Sequence, residues 1–495
     1  MRYGRVLTFV LALLLVLLVV RLWLMPLPSS FWLDEIATVY VAQHGSTDPS
    51  LAAAAPQAWQ SWYYPVIHAW ASIFGYSEVA TRIPSLLAMA GCLALLAWLS
   101  IRLIHPESGW FAVFICLALP GINYQAANAR PYALGMFMFA AALMFLVRWL
   151  DSNDWTDALL FVASAAVILY IHLLFWPSCL VFVLYAATRL VDRETPVSRG
   201  RALLVFALLA GALPPIVEQV TSLLPEAYLH VIAPRPTVMQ FARSLQLTLL
   251  IGCAAGAWIL SRALKWPSAS IVPSASAIVL IAGWWLCQPL LLFGYSRISG
   301  EGVFVPRYLQ LALPGAALAA TALAAYFIPP GQWKIPALIL AIVVLASQGH
   351  WRELWPRHHN SDWRAAAAAV NRLESATEMP VICPAPFIEA RPPVWRPDYP
   401  LPGFLYAHLS VYPIHGNTQL FPFEDSPEAD AFASTLAHGA LLRARHFLIY
   451  GWEPQVHYWR DWFARQTEFA GWRERRVGPF ADVDVVEFEA PAATR

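Results

Sequence analysis

Asp34 and Glu35 are adjacent carboxylates about ten residues past the end of an apolar run, set among apolar and aromatic neighbours. At membrane depth such a pair costs free energy unless something pairs with it. One member could act as a base toward an acceptor hydroxyl or amine, the other holding geometry or a cation. The plain alternative is a solvated Asp-Glu dipeptide, and two residues make a short motif. Arg130 stands in Asn123-Tyr-Gln-Ala-Ala-Asn-Ala-Arg130-Pro-Tyr132, a polar turn between two apolar runs. Its planar fork suits a phosphate or carboxylate clamp, or the side chain snorkels to water from the interface. Phe304-Val-Pro-Arg307-Tyr308 opens another apolar run, where Arg307 and Tyr308 could grip a lipid phosphate at headgroup depth, as could Arg82. Interface anchoring is the competing role for all three. His172, in Tyr170-Ile-His172, is either a hydrogen-bonded packing residue or a functional imidazole. His68 is weaker, and His350, His358 and His359 lack metal-ligand spacing.

These residues must be positioned by membrane spans. Of the 495 residues 59% are hydrophobic and 13% charged, and the mean hydropathy is +0.54, whereas a soluble domain is about one quarter charged. Apolar runs long enough for a hydrocarbon core of about 30 Å lie near 6–24, 83–103, 109–124, 131–149, 158–171, 173–190, 202–220, 241–261, 274–296, 307–328 and 334–349. They predict a polytopic α-helical membrane protein with about eleven spans, one pair in the short third to sixth runs being a candidate re-entrant hairpin. The first run follows Arg2 and Arg5 without a convincing small-residue cleavage site, so an uncleaved span is expected rather than a signal peptide.

With the N-terminus in the cytoplasm, Arg2, Arg5, Arg102, Arg148, Arg189, Arg193, Arg199, Arg201, Arg262, Lys265 and Lys334 fall inside, and Arg82, Arg130, Arg235, Arg243, Arg297 and Arg307 outside. That bias obeys the positive-inside rule. It leaves outer arginines in need of a reason and puts Asp34 on their side.

The expected organisation is a transmembrane domain over 1–350, with a long first outer loop at 25–80, and a small extracytoplasmic α/β domain over 351–495. Aromatic residues including Trp59, Trp62, Tyr63 and Tyr64 crowd the loop's second half, and Val66, Ala69, Trp70, Ile73 and Phe74 share a helical face suited to the interface. A second outer loop, 221–240, carries Pro225, Glu226, Tyr228, His230 and Arg235 and looks irregular. After Trp351 charges return, Asp362 starts an N-capped helix, and 381–383, 446–450 and 483–488 read as strands. Five of six cysteines lie inside apolar runs and Cys383 stands alone, so no metal or redox motif emerges. A net charge of +1 argues against a nucleic-acid partner. No nucleotide-binding signature occurs, so a sugar donor would have to be carried by the membrane.

At this point the chain resembles the GT-C superfamily of integral-membrane glycosyltransferases, notably the branch similar to protein O-mannosyltransferases and the lipid A aminoarabinose transferase. Trp32-Leu-Asp34-Glu35 resembles the family's first-loop acidic motif. Trp62-Tyr63-Tyr64-Pro65 through His68, Gly75, Ser77-Glu78 and Arg82-Ile-Pro84 resembles the stretch that follows it. Ala129-Arg130-Pro131-Tyr132-Ala133-Leu134, Tyr170-Ile-His172, Pro306-Arg307-Tyr308 and Asp362-Trp363-Arg364 continue in family order. The ordered series over most of the chain is what makes the resemblance specific.

The resemblance implies inverting transfer of a sugar from a polyprenyl-phosphate donor, with Asp34, seconded by Glu35, as catalytic carboxylate. Arg82, Arg130, Arg307 and Tyr308 would hold the donor phosphate, and Tyr63, Tyr64, Tyr132 and His172 would contact substrate. Two departures stand out: Asn128 occupies a position where relatives often carry Glu, and Ser61-Trp62 replaces Pro-Pro. The first leaves a possible divalent cation open. The expected setting is a bacterial cytoplasmic membrane, with an envelope glycolipid, lipopolysaccharide, polysaccharide or protein as acceptor. A lipid-linked-sugar flippase and a non-catalytic envelope scaffold are the rival readings.

Overall fold

The computed structural model describes residues 2–55, 60–223, 233–267, 271–300, 302–359, 361–377, 379–390, 394–399, 401, 403–424 and 426–491. Trp59, Pro225, Glu226, Tyr228 and His230 lie outside them. Two compact units emerge, one formed by Met1–Leu27, Ser61–Tyr63 and Arg82–Pro356, the other by Pro28–Gln60, Tyr64–Thr81 and Arg357–Arg495.

The first unit is helical, and each of the eleven apolar runs carries helix. Among the described residues six helices are long and apolar enough to cross a membrane, or eight if each of two bent pairs is one span. Trp155–Ile171 and Lys334–Gln348 are shorter apolar helices. Burial separates the spans. Gly4–Leu24 is only 22% buried, whereas Pro306–Ala325 is 78% buried. The latter is apolar all round and rich in alanine, which lets neighbouring helices approach closely. Around it Phe139 stacks on Phe182 and meets Trp284 in the interior.

One break carries consequences for the site. Gly109–Leu117 and Pro120–Ala126 meet at 82°, because Pro120 supplies no N–H to continue the first helix. The freed carbonyls find side-chain donors: Asn123 Nδ2 donates to Leu117 O at 2.8 Å, and Gln348 Nε2 to Ala118 O at 2.6 Å. Asn123 also donates to Gln348 Oε1 and accepts from Trp23 Nε1 at 3.0 Å. In apolar surroundings an orphan carbonyl costs several kcal/mol, so this network is what makes the bend tolerable.

The second unit holds a five-stranded sheet. Its strands are β1 (Val381–Pro384), β2 (Thr418–Phe421), β3 (His446–Trp452), β4 (Arg473–Phe480) and β5 (Val483–Glu489), in the order β2-β1-β3-β5-β4. β1 runs parallel to β2 and β3, while β5 is antiparallel to β3 and β4. β3 is buried over its five inner residues, and strand alternation sends its side chains to both faces. Phe447 meets Phe463 of helix Glu453–Ala464, and Tyr450 meets Trp363 of helix Trp363–Thr377. The sheet is therefore covered on both sides. Helix Leu33–His44 belongs to this unit because its apolar face, with Ile36, Val39 and Tyr40, joins the same core.

Candidate functional site

Asp34 and Glu35 occupy the first turn of helix Leu33–His44 rather than a loop. Trp32 is extended, and its backbone N–H donates to Glu35 Oε2 at 3.3 Å. Two carboxylates at a helix N-terminus are favoured by the unpaired N–H groups and the helix dipole. The two nevertheless differ: Glu35 is fully buried and caps the helix, while Asp34 is partly exposed. The turn is braced within its own unit. Trp32 stacks on His359 with ring centroids 5.1 Å apart, and Thr38 Oγ1 donates to Asp34 O at 3.0 Å.

The motif residues Glu78 and Asp362-Trp363-Arg364 meet beneath that turn. Arg364 donates to Glu78 Oε1 at 3.0 Å and to Pro28 O at 2.9 Å. Tyr412 donates to the same Glu78 oxygen at 2.9 Å and accepts from the Phe31 N–H at 2.9 Å. Burial, and then the Glu78 charge, push the Tyr412 pKa up, so its hydroxyl keeps the proton it donates. Asp362 caps its helix through the Ala365 N–H, and Trp363 is buried in the core. These residues anchor the segment leading into Asp34. His68 ties down the far end of the same helix, its Nδ1 lying 2.8 Å from Ala42 O and 3.1 Å from the Tyr76 hydroxyl. Gly75 sits between His68 and Tyr76 at a φ of +82°, a conformation in which a Cβ is strained.

The cationic residues gather in the first unit. His172 heads the 3-10 segment Leu173–Cys179, its Nδ1 accepting the Leu174 N–H at 3.2 Å. The imidazole lies 5.8 Å from the Tyr132 ring and 5.3 Å from the Tyr308 ring. Burial, and then the charges of Arg130 and Arg307, pull its pKa down to about 3. At neutral pH the ring is therefore uncharged, with Nε2 carrying the hydrogen. Arg307 lies over the Tyr308 ring and donates to its hydroxyl at 3.3 Å.

Two guanidinium groups, two phenols and a neutral imidazole thus form one cluster able to hold an anion by charge-assisted hydrogen bonds. Breaks in the spans produce it. Pro131 closes off the turn before Tyr132–Ser152, with the Arg130 N–H donating to Asn128 O at 2.8 Å, and Pro306 opens the 3-10 segment Pro306–Ala312. Gly135 allows the approach, since a Cβ there would lie 2.3 Å from the Phe175 ring.

Other expected site residues have different surroundings. Arg82 is fully buried and donates to Leu27 O at 2.7 Å, a tie between chain segments. Tyr63 is buried in the first unit, while Tyr64 packs against the core of the second. The Ser61-Trp62 departure docks on the residues before His172: Ser61 Oγ donates to Ile171 O at 2.6 Å, and Trp62 N to Tyr170 O at 3.0 Å. The Trp62 ring stacks on Tyr170 at 4.8 Å. Proline at 62 could not make the second bond.

Asn128 is buried and pairs through Nδ2 with Gln125 Oε1 at 2.9 Å. This amide pair supplies no carboxylate to a cation. Among the described residues one group, Glu453, His457 and Asp484, has metal-ligand spacing. Arg476 already bridges its two carboxylates, at 2.8 Å from Asp484 and 3.1 Å from Glu453. Sequence reading missed Gln288, which donates from a buried position to two backbone carbonyls of the cluster. A lone amide in an apolar run was the available signal.

No protein-family model matches the sequence, and neither does any curated protein sequence. Among solved structures the chain has a neighbour in fold over nearly its whole length. The likeness is to ArnT from Cupriavidus metallidurans bound to undecaprenyl phosphate, at a TM-score of 0.53 and 11% identity over 97% of this chain and 98% of that one. The arabinofuranosyltransferase AftD from Mycobacteria aligns at a TM-score of 0.48 and 13% identity, over 98% of this chain and 40% of its own length.

Proposed function

We propose that the protein is a glycosyltransferase that moves a sugar from a polyprenyl-phosphate carrier to a cell-envelope acceptor on the outer face of the cytoplasmic membrane. The observation that carries this reading is the cluster of Arg130, Arg307, Tyr308, Tyr132 and His172. It is a cationic site with phosphate-matching donors at breaks in apolar helices. The fold shared with a protein solved bound to undecaprenyl phosphate supports the lipid carrier. In the same reading the chain crosses the membrane about eleven times, with the N-terminus inside and residues 351–495 outside.

In the proposed reaction the Asp34 carboxylate takes the proton of an acceptor hydroxyl or amine as that atom attacks the anomeric carbon. The bond from the anomeric carbon to the phosphate oxygen breaks, and its electron pair leaves on the polyprenyl phosphate with inversion. Arg130, Arg307 and the Tyr308 hydroxyl stabilise charge on that leaving group, which already exists as phosphate. Glu35, buried and capping, sets the turn rather than moving the proton. Mass spectrometry of envelope glycolipids from cells with and without the gene tests the reading. A sugar-bearing species is expected to vanish and its unglycosylated form to accumulate; unchanged envelope glycans and glycoproteins would overturn it.

A further inference from the structure

Helix Ala275–Ser299 is largely apolar, but Trp284, Gln288 and Ser296 stand four and eight residues apart and share one face with Leu292. The three polar members are fully buried. Each bonds backbone in one short stretch. Trp284 Nε1 donates to Leu311 O at 2.8 Å, Gln288 Nε2 to Tyr308 O at 2.8 Å, and Ser296 Oγ accepts the Phe304 N–H at 3.0 Å. This face is a template for the 3-10 segment Pro306–Ala312, which carries Arg307 and Tyr308. Gln288 also reaches a second segment, donating to Leu174 O at 2.9 Å, two residues beyond His172.

We infer that Gln288 is a positioning residue for the anion cluster, its one amide nitrogen fixing the spacing between the segment headed by His172 and the segment bearing Arg307 and Tyr308. This rests on the phosphate reading above. The physical basis is specific. A carbonyl left unpaired in apolar surroundings is costly, and one NH2 group satisfies two carbonyls from segments far apart in the chain. That couples their separation to the amide's own dimensions. Trp284 and Ser296 bond only the stretch around Arg307 and Tyr308, so they fix its path without fixing its distance from His172. Methionine at 288 would fill the volume but donate nothing.

The test uses purified full-length protein in detergent, with undecaprenyl phosphate and uncharged undecaprenol as the two probes and direct binding as the readout. Wild type is expected to prefer the phosphate. Gln288→Met is expected to lower that preference about tenfold, as loss of aligned charge-assisted bonds implies, while undecaprenol binding stays unchanged. Trp284→Phe serves as the comparison and is expected to keep most of the preference. An unchanged preference in Gln288→Met, or an equal loss for both lipids, overturns the inference and leaves the phosphate reading intact. Absence of any preference in wild type overturns the phosphate reading itself and the inference with it. Should Gln288→Met fail to fold, Gln288→Asn keeps the donors but is one methylene too short to span both carbonyls. A retained preference there overturns the inference equally.

Discussion

The acidic turn and the cationic cluster are built by opposite means. Asp34 and Glu35 sit on a regular helix whose other face fills the core of an α/β unit. Their geometry is set by capping, by Trp32 on His359, and by an ion pair with a half-buried phenol. Arg130, His172 and Arg307 sit where helices stop: between Ala126 and Tyr132, between Ile171 and Leu173, and at Pro306. There the backbone leaves carbonyls open, and amides such as Asn123, Gln348 and Gln288 close them. A soluble-type core can position a carboxylate with ordinary packing. A membrane span positions a cation only where it is broken and every broken bond is remade.

Substitutions should separate the two modes. The largest effect is expected in the cluster: Arg307→Ala should lower transfer by about 10²–10³-fold, as for loss of one preorganised donor to a leaving group. Arg307→Lys, keeping charge but not the fork, should recover only part of it; full recovery would mean that charge alone suffices. Next, Asn123→Leu removes the partner of Leu117 O, Gln348 Oε1 and Trp23 Nε1 at the 82° bend and should cost about 2–4 kcal/mol. A lowered thermal midpoint in detergent checks this, and an unchanged midpoint would show the network to be dispensable. Arg364→Ala should destabilise the α/β unit by about 1–2 kcal/mol, read as faster proteolysis of the segment before Asp34. Last is an effect of acid, absent at neutral pH. Burial holds the His408 pKa down to about 3 in the folded state, against an ordinary value of about 6.5. Below the ordinary value the unfolded chain binds a proton that the folded chain does not, so stability falls as pH drops from about 6.5 toward 3. His408→Leu should flatten that fall in urea titrations across the window, and equal slopes would remove His408 as a cause.

Much of the fold was legible because apolar length and period survive without tertiary context: helix fills every apolar run, and β1, β3 and β5 fall on the apolar stretches near 381, 446 and 483. β4 was not legible. Its Arg473-Glu-Arg-Arg-Val-Gly-Pro-Phe480 carries no apolar run and forms an edge strand, where charge and proline blunt further pairing. The start of helix Leu33–His44 was readable in principle, since acidic residues favour a first turn, yet these residues read only as part of the outer loop 25–80. Arg82 was legible as a cation, but its bond to Leu27 O, 55 residues away, was not. The Arg364–Glu78 pair joins residues 286 apart, and no local pattern encodes such a distance. Gln288 likewise shows as a lone amide, and its two partners belong to the fold alone.

The most direct test of the account is complementation of cells lacking the gene with Asp34→Asn, the variant being verified as folded and membrane-inserted, followed by mass spectrometry of the envelope glycolipids and glycoproteins. Loss of a general base commonly costs about 10²–10⁴-fold, so the variant is predicted to leave the sugar missing where wild type restores it. Full restoration by Asp34→Asn would contradict the assignment of Asp34 as the base on which the proposed transfer depends.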